Sequence, residues 1–361
     1  MRHIMFICNT YYQMITAIQL RYTHFSTDDT YIILTDHSKD AREVSRRLQK
    51  AECFNEVYYA EVKSLDQDKH GIATAACSIL SGVTGRAEWM KEIEELRCDE
   101  LIYFNLSIST LHLFALLNSN NPCLKCSRME EGILSYNAMF HDGDGDMPLR
   151  ARSIMNIRNI LKKKNMVDTV DSFYCFYPEL YTGKLNCIKI PTIKRNSKTA
   201  NELKKIFSSQ TKYRQKYIFF TSVYDFEGGF PVGEYELVTK VADLVGKDNL
   251  LVKMHPRDTR TIYRENGFCV DKDSSIPWEA IQLSSDFSEK VFMTINSGSV
   301  LAGSLMAERP VRTHYMFKLC DISNNESCKI NARDIESLLN QGKMKSVFRM
   351  VKIAEKLDDI I

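Results

Sequence analysis

The chain alternates short apolar runs with segments in which apolar residues recur at helical spacing. In the first half, the strand-like runs are residues 4–8, 30–35, 56–60 and 100–105. Helical patterns follow at residues 12–20, 41–51 and 109–117, and another helical region ends near residue 95. Strands that alternate with helices in this way predict a parallel, doubly wound α/β sheet.

A second strand pattern begins near residue 217. Its strand-like runs are residues 217–222, 250–252, 267–271, 291–295 and 309–311, and its helical segments are 234–245, 300–306 and 332–361. Residues 187–214 are poor in apolar side chains after Ile193 and rich in Lys, Ser, Thr and Asn, which is typical of a linker. A chain of 361 residues fits two domains, which we place at residues 1–186 and 215–361.

One predicted helix, within residues 147–167, is strongly basic. From Arg150 to Lys164 it carries six Lys and Arg residues and no acidic residue. Its apolar residues recur at helical spacing and are Leu149, Ile154, Ile157, Ile160 and Leu161. The pattern fits a packed helix with a solvated basic face, and it also fits a helix that docks on an anionic membrane surface.

Composition narrows the class of protein. A net charge of +2 argues against a dedicated nucleic-acid binder, and eleven scattered cysteines suit a reducing compartment. The apolar run at the amino terminus is too short for a signal peptide, and no eighteen-residue apolar window is present. We therefore expect a cytoplasmic protein, with peripheral contact to a membrane left open.

Polar residues follow the predicted strands of the first half. Cys8, Asn9 and Thr10 form a turn before a helix that Thr10 is placed to cap, and no glycine-rich dinucleotide motif is present. Further on, Glu130-Glu131-Gly132 follows a predicted strand, and Gly132 permits a tight turn. Mutual repulsion would raise the pKa of one carboxyl group, which suits a base. The alternative is a solvated acidic turn.

The second half places a histidine at the end of a strand. Pro256 stops the strand, so that His255 lies at its carboxyl edge between Lys253 and Arg257. This histidine could donate hydrogen bonds to a phosphate or protonate a leaving phosphate, and the alternative is a solvated strand end.

Three further segments carry candidate groups. Pro277 and Glu279 begin a helix, where the carboxylate either satisfies the helix dipole or binds ribose hydroxyls. The second segment is an anion-binding turn between a strand and a helix and consists of Asn296, Ser297, Gly298 and Ser299. The third is the glycine-rich loop 223–233, which contains Asp225 and Glu227 and could close over a substrate.

We predict no metal site. In residues 141–146 the acidic residues match the first ligands of a calcium loop, but Met147 and Ser153 stand where glycine and glutamate are needed. Cys123 and Cys126 form a single C-x-x-C without a second pair, so that we interpret them as ordinary thiols.

The order of these motifs resembles that of the bacterial sialyltransferases. The acidic-acidic-glycine triplet and the His-Pro pair carry the resemblance, and the opening CNTYYQMITAIQL is similar to glycosyltransferase family 52, the lipooligosaccharide sialyltransferases. The resemblance implies a GT-B fold, in which two Rossmann-like domains face each other across a cleft. It also implies an inverting enzyme that needs neither a metal nor a cofactor.

The resemblance also implies roles for the residues. Glu131 would be the general base with Glu130 in support, and Asp225 is a rival base. His255 would contact or protonate the phosphate of the CMP donor. The remaining donor contacts would come from Lys253, Pro256, Pro277, Glu279, Asn296, Ser297, Gly298 and Ser299. We assign Asn9, Thr10 and Gln13 to the acceptor side.

We therefore predict a transferase that moves sialic acid from CMP-sialic acid to a terminal galactose of a bacterial lipooligosaccharide or capsule. One alternative keeps the fold and uses a glucose, galactose or Kdo donor. A non-catalytic binding protein is the other. The acceptor linkage and the oligomeric state, including a homodimer, stay open.

Overall fold

The computed structural model describes residues 1–67, 72–136, 148–207, 213–227, 230–272 and 276–361. It divides into two compact units. The N-terminal unit consists of Met1–Pro191 together with Asn196–Ile206. The C-terminal unit consists of Thr192–Arg195 and Phe207–Ile361.

A parallel sheet forms the centre of the N-terminal unit. Its strands are β1 (His3–Cys8), β2 (Asp29–Thr35), β3 (Glu56–Ala60), β4 (Glu100–Tyr103), β5 (Lys125–Met129), β6 (Val170–Cys175) and β7 (Asn186–Lys189). Their order in the sheet is β3-β2-β1-β4-β5-β6-β7, and every pairing is parallel. The order reverses between β1 and β4, and such a switch point is where open α/β sheets bind ligands.

Helices connect these strands. They are α1 (Tyr11–Thr23), α2 (Ala41–Lys50), α3 (Lys63–Asp66), α4 (Ile72–Thr84), α5 (Ile108–Asn120), α6 (Leu149–Ile160) and α7 (Lys198–Ile206). Short 3₁₀ turns lie at Glu88–Ile93, Ile133–Tyr136, Met166–Thr169 and Pro178–Leu180. Thr10 caps α1 as expected, because its hydroxyl accepts the N–H of Gln13 at 3.3 Å.

The predicted linker, residues 187–214, contains regular structure. It includes most of β7 and all of α7, and α7 belongs to the N-terminal unit. The apolar residues of α7, Ala200, Leu203 and Ile206, are buried at helical spacing within an otherwise basic and polar segment. Three apolar positions at that spacing are enough to pack a short helix, so composition alone misjudged this segment.

The C-terminal unit contains a second parallel sheet with the same type of strand order. Its strands are β8 (Tyr217–Phe220), β9 (Leu250–Lys253), β10 (Cys269–Val270), β11 (Val291–Thr294), β12 (Arg312–Tyr315) and β13 (Val351–Ile353). They lie in the order β10-β9-β8-β11-β12-β13. The switch point is therefore between β8 and β11.

The helices of this unit are α8 (Glu234–Val245), α9 (Ile262–Glu265), α10 (Trp278–Ser284), α11 (Ala302–Ala307), α12 (Glu326–Asn340) and α13 (Met344–Val347). Short 3₁₀ turns lie at Lys247–Asn249, Gly298–Leu301, Phe317–Leu319 and Leu357–Ile360. The α8 bounds agree with the sequence prediction.

The carboxyl-terminal region differs from the prediction. Residues 332–361 are not one helical segment, because α12 ends at Asn340 and β13 adds an edge strand beside β12. The last strand was predicted at residues 309–311, whereas β12 begins after Pro310, at Arg312. Strands β6 and β7 were not predicted. Only the last three residues of β6 and none of β7 are fully buried, and neither strand shows a clear apolar alternation.

Both sheets have buried strands. All six residues of β1 except His3 are buried, and every residue of β8, β9 and β11 is buried. Burial on both faces is typical of parallel sheets covered by helices. Among the described helices, none is long and apolar enough to cross a membrane.

Candidate functional site

The acidic triplet forms a tight turn at the carboxyl end of β5. Gly132 has a φ of +89°, a conformation that glycine adopts without steric cost. The N–H of Glu131 donates to the hydroxyl of Ser135 at 2.7 Å, which closes the turn. The glycine predicted to permit this turn therefore does so.

The two carboxyl groups of the triplet lie in different environments. Glu130 is fully buried. Its Oε1 accepts the hydroxyl of Tyr12 at 2.6 Å, and its Oε2 accepts the N–H of Phe176 at 2.8 Å and the hydroxyl of Tyr136. Burial raises the pKa of Glu130 to about 7, although these three donors oppose the rise. The cause is burial and not the repulsion between neighbouring carboxylates that the sequence suggested.

Glu131 is the half-buried member of the pair. Because Glu130 is enclosed by its own unit, Glu131 is the carboxylate of the triplet that reaches the surface. Glu130 thus anchors the turn, and Glu131 is the partly accessible carboxylate at the edge of the sheet.

The acceptor-side candidates Asn9 and Gln13 are buried and hydrogen-bonded within the N-terminal unit. The N–H of Asn9 donates to Oε1 of Gln13 at 2.7 Å, and Nε2 of Gln13 donates to Oδ1 of Asn105 at 2.7 Å. Oδ1 of Asn9 accepts the hydroxyl of Thr35 at 3.0 Å. These side chains fix the turn at the β1–β4 switch point, and Thr10 is the half-buried residue of the three.

A histidine–carboxylate pair that the sequence analysis missed lies at the same edge. Nε2 of His37 is 3.4 Å from Oδ2 of Asp66, and Nδ1 of His37 is 2.9 Å from the hydroxyl of Thr35. Burial raises the pKa of Asp66 and lowers that of His37. His37 follows β2 at a strand end, as His255 does, and that parallel was the available signal.

In the C-terminal unit, His255 lies at the carboxyl end of β9. Its N–H donates to the hydroxyl of Thr221 at 2.8 Å, and its Nδ1 accepts the N–H of Arg257 at 3.2 Å. A neutral ring therefore carries its proton on Nε2, which bonds to none of the described residues. Burial, assisted by the charge of Arg257, lowers the pKa of His255. The geometry favours a neutral N–H donor over a proton donor.

The two cations that flank His255 are both paired. Lys253 is buried, and its Nζ lies 2.6 Å from Oδ2 of the buried Asp271. Exposed Arg257 pairs with Glu227 at 2.6 Å. Lys253 thus offsets a buried carboxylate inside the unit, which differs from the donor contact predicted for it.

Pro277 and Glu279 begin α10 as predicted. Pro277 is the residue before the helix, and Glu279 lies half-buried in its first turn. Burial raises the pKa of Glu279, and its own backbone N–H and the charge of Lys253 oppose this rise.

The predicted anion-binding turn follows β11. Ser297 and Ser299 are half-buried, and their hydroxyls make no hydrogen bond to any residue that the structure describes. A Cβ at the exposed Gly298 would meet no atom within 4 Å. Asn296 is engaged, since its Nδ2 donates to the hydroxyl of Tyr224 at 2.6 Å. The open groups of this turn are the two serine hydroxyls.

The loop between β8 and α8 is held by two carboxyl groups. Oδ1 of Asp225 accepts the N–H of Val232 at 2.7 Å, and its Oδ2 accepts that of Glu234 at 2.9 Å. Glu234 is fully buried, and its Oε1 accepts the N–H of Ser222 at 2.7 Å while Oε2 has no partner among the described residues. Burial raises the pKa of Glu234 to about 8. Asp225, the predicted rival base, therefore holds the backbone of its own loop.

Some predictions lie outside the described residues. These are the acidic segment 141–146, with Met147, and the glycines at 228 and 229. Within the residues that are described, no group of three or more His, Cys, Asp or Glu side chains could hold a metal ion.

Comparison with known proteins adds a family and a fold. The model of the family described as alpha-2,8-polysialyltransferase (POLYST) matches residues 4–297, a range that contains Glu131, His255 and Ser297. No curated protein sequence matches the chain significantly.

Two solved glycosyltransferases are similar in structure. The glycotransferase of kitacinnamycin has 11% sequence identity and a TM-score of 0.51, and the alignment covers 98% of this chain and 86% of that one. Glycosyltransferase VinC in complex with DTDP has 9% identity and a TM-score of 0.50, with 100% and 88% covered. At these identities the likeness concerns the fold, and it confirms the predicted GT-B architecture of two Rossmann-like domains.

Proposed function

Because this chain belongs to the alpha-2,8-polysialyltransferase family, we propose that it transfers sialic acid from CMP-sialic acid to a hydroxyl group of a glycan. The proposal rests on the family match, because the matched residues 4–297 include the candidate residues at the strand ends of both units. Sialyl transfer of this kind breaks the bond between C2 of the sugar and a phosphate oxygen and forms one to the acceptor oxygen. A base must take the acceptor proton.

Glu131 is the base in this proposal. Its half-buried carboxylate lies on a turn that Gly132 and Ser135 fix. Glu130 anchors the turn through three donors from Tyr12, Tyr136 and Phe176. A base that is held in place by its neighbours loses little freedom when the acceptor binds. Glu130 is thus a positioning residue.

The C-terminal unit stabilises the leaving phosphate in this proposal. His255 offers the N–H of Nε2, and Ser297 and Ser299 offer hydroxyls that no described residue occupies. Neutral donors that are fixed before the reaction stabilise developing negative charge. Glu279 is the group that we propose for the ribose. The reaction would invert the anomeric centre and need no metal.

The family name favours an acceptor that already ends in sialic acid over the galactose that the sequence predicts. The resemblance to family 52 stays a prediction, and so do the lipooligosaccharide and capsule assignments. We propose the sialylated acceptor first, because the family match covers most of the chain.

The test measures CMP release by the purified full chain. CMP-sialic acid is supplied with an α2,8-linked disialyl oligosaccharide, with a galactose-terminated oligosaccharide, or with neither. We expect CMP release with the sialylated acceptor, at the same rate in excess EDTA because no metal is needed. The new linkage should have the inverted anomeric configuration by NMR. CMP release only with the galactose-terminated acceptor would support a sialyltransferase but would contradict the proposed sialylated acceptor. Activity only with UDP-glucose, UDP-galactose or CMP-Kdo would overturn the proposal.

A further inference from the structure

Helix α6 exposes most of the apolar side chains that its sequence pattern assigned to one packed face. The exposed fractions of Leu149, Ile157, Ile160 and Leu161 are 74%, 37%, 78% and 54%. Ile154 is fully buried, and a Cβ on Gly82 of α4 would clash with it. The helix therefore packs against α4 through Ile154, and its other large apolar side chains are exposed to solvent.

The exposed apolar residues form one stripe. At about 100° per residue, Leu149, Ile157 and Ile160 fall within about 80° of arc on the helix surface. Leu161 follows directly at the end of the helix. Ser153 lies within the same arc, and its hydroxyl donates to the carbonyl oxygen of Leu149 at 3.0 Å. The large side chains of this face are therefore apolar, and such a face on a water-facing helix marks an interaction site.

The basic residues divide into buried and exposed groups. Arg150 and Arg158 are buried and donate to backbone carbonyls, including Leu65 O at 3.0 Å and Lys164 O at 2.7 Å. They serve the fold of the N-terminal unit. The exposed cations beside the apolar stripe are Arg152, Lys162, Lys163 and Lys164. Of these, Lys163 and Lys164 also donate to the carbonyl oxygens of Val83 and Pro122, at 3.1 and 2.6 Å. No acidic residue occurs between 148 and 167.

We propose that the α6 surface, formed by the apolar stripe and these four exposed cations, docks on an anionic lipid bilayer. The apolar side chains would enter the interface, and the cations would contact lipid phosphates. Charge complementarity selects this partner, because the surface is wholly cationic and apolar. Peripheral binding needs two such signals, since neither insertion nor charge alone anchors a protein stably.

The test uses sedimentation of the full chain with vesicles. Vesicles of phosphatidylcholine alone are compared with vesicles that also contain phosphatidylglycerol. We expect binding only to the anionic vesicles, weakened by high salt because salt screens the cations. Leu149→Ser/Ile160→Ser and Arg152→Ser/Lys162→Ser should each weaken binding by about tenfold or more.

The matched control is Ile330→Ser, which removes a 49% exposed isoleucine from α12 and should bind like the wild type. All variants should keep their circular dichroism spectrum and their activity on a water-soluble acceptor. Vesicle binding that survives both double substitutions would overturn the proposal. So would a change from dimer to monomer in Leu149→Ser/Ile160→Ser without any effect on vesicles, because the stripe would then be a subunit interface.

Discussion

The two sheets share a strand order, yet the edges at which their strands end carry opposite chemistry. The edge of the N-terminal unit presents acid and base groups, namely Glu131 and the His37–Asp66 pair. The edge of the C-terminal unit presents neutral hydrogen-bond donors, namely His255 and two serines. Topology fixes where the candidate residues lie, and the residue after each strand decides whether that place offers a carboxylate or a neutral hydrogen-bond donor.

A buried glutamate stands behind each edge, and the two are supported differently. Glu130 accepts three hydrogen bonds and has a pKa of about 7. Glu234 accepts the N–H of Ser222, lies near the charge of Asp225 and has a pKa of about 8. The comparison shows how donors offset part of the cost of burying a carboxylate.

The largest expected effect comes from removing the proposed base, Glu131. Glu131→Gln should lower kcat by about a hundred- to ten-thousandfold, because the amide cannot take the acceptor proton. The affinity for CMP should not change, since the residues that we propose for donor binding belong to the C-terminal unit. Steady-state kinetics and a titration with CMP measure the two quantities.

Glu95→Gln is the control for this substitution, because Glu95 is an exposed glutamate of the same unit. Its kcat should equal that of the wild type. Normal turnover by Glu131→Gln would show that the base lies elsewhere, and the His37–Asp66 pair would then be the group to test.

The next effect concerns stability. The unfolded chain loses the proton of Glu234 near the ordinary pKa of 4.5, whereas the native state keeps it to about pH 8. The native state thus binds more protons across this window, and its stability falls as pH rises. Glu234→Gln should remove this dependence and raise the free energy of unfolding above pH 8 by roughly 2–5 kcal/mol, because each unit of the pKa rise from 4.5 to about 8 corresponds to about 1.4 kcal/mol.

Denaturant titrations at pH 5 and above pH 8 test this expectation. At pH 5 the two proteins should have similar stability, because the carboxyl group is neutral in the native state there. An equal pH slope in wild type and variant would show that Glu234 is ionised in the folded protein.

The smallest expected effect belongs to the donor edge. His255→Ala should weaken CMP binding by about ten- to a hundredfold, the range for one hydrogen bond to a charged group. His255→Gln keeps an N–H and should recover part of the affinity. If glutamine and alanine bind CMP equally poorly, the imidazole acts by another property than its N–H donor.

The alternation of strands and helices could be predicted because β1, β8, β9 and β11 are continuous buried apolar runs. The edge strand β13 could not, since three residues are too few for a period to show. The helical spacing of the apolar residues in α7 was not recognised, because lysines and polar residues dominate the composition of that segment. The strand ends marked by the His-Pro pair and by the acidic-acidic-glycine triplet were therefore easier to predict than β13 and α7.

Side-chain direction was beyond the sequence. Lys253 and His255 are two residues apart, yet Lys253 is buried against Asp271 and His255 is half-buried at the edge. Adjacent Glu130 and Glu131 separate in the same way. Which neighbour turns inward depends on partners distant in the chain, such as Tyr12 and Phe176, and no local pattern shows them.

The position of α7 has a consequence for recombination between related genes. Residues 192–195 belong to the C-terminal unit, but α7 returns to the N-terminal unit before the chain leaves again at Phe207. A crossover at residue 191 would give a hybrid in which α7 comes from one parent and its buried surroundings, including Gln19, from the other. A joint between Ile206 and Phe207 keeps the whole N-terminal core from one parent. It leaves only residues 192–195 of the C-terminal unit, with the buried Ile193, from the other parent, so viable exchanges of a whole half should cluster there.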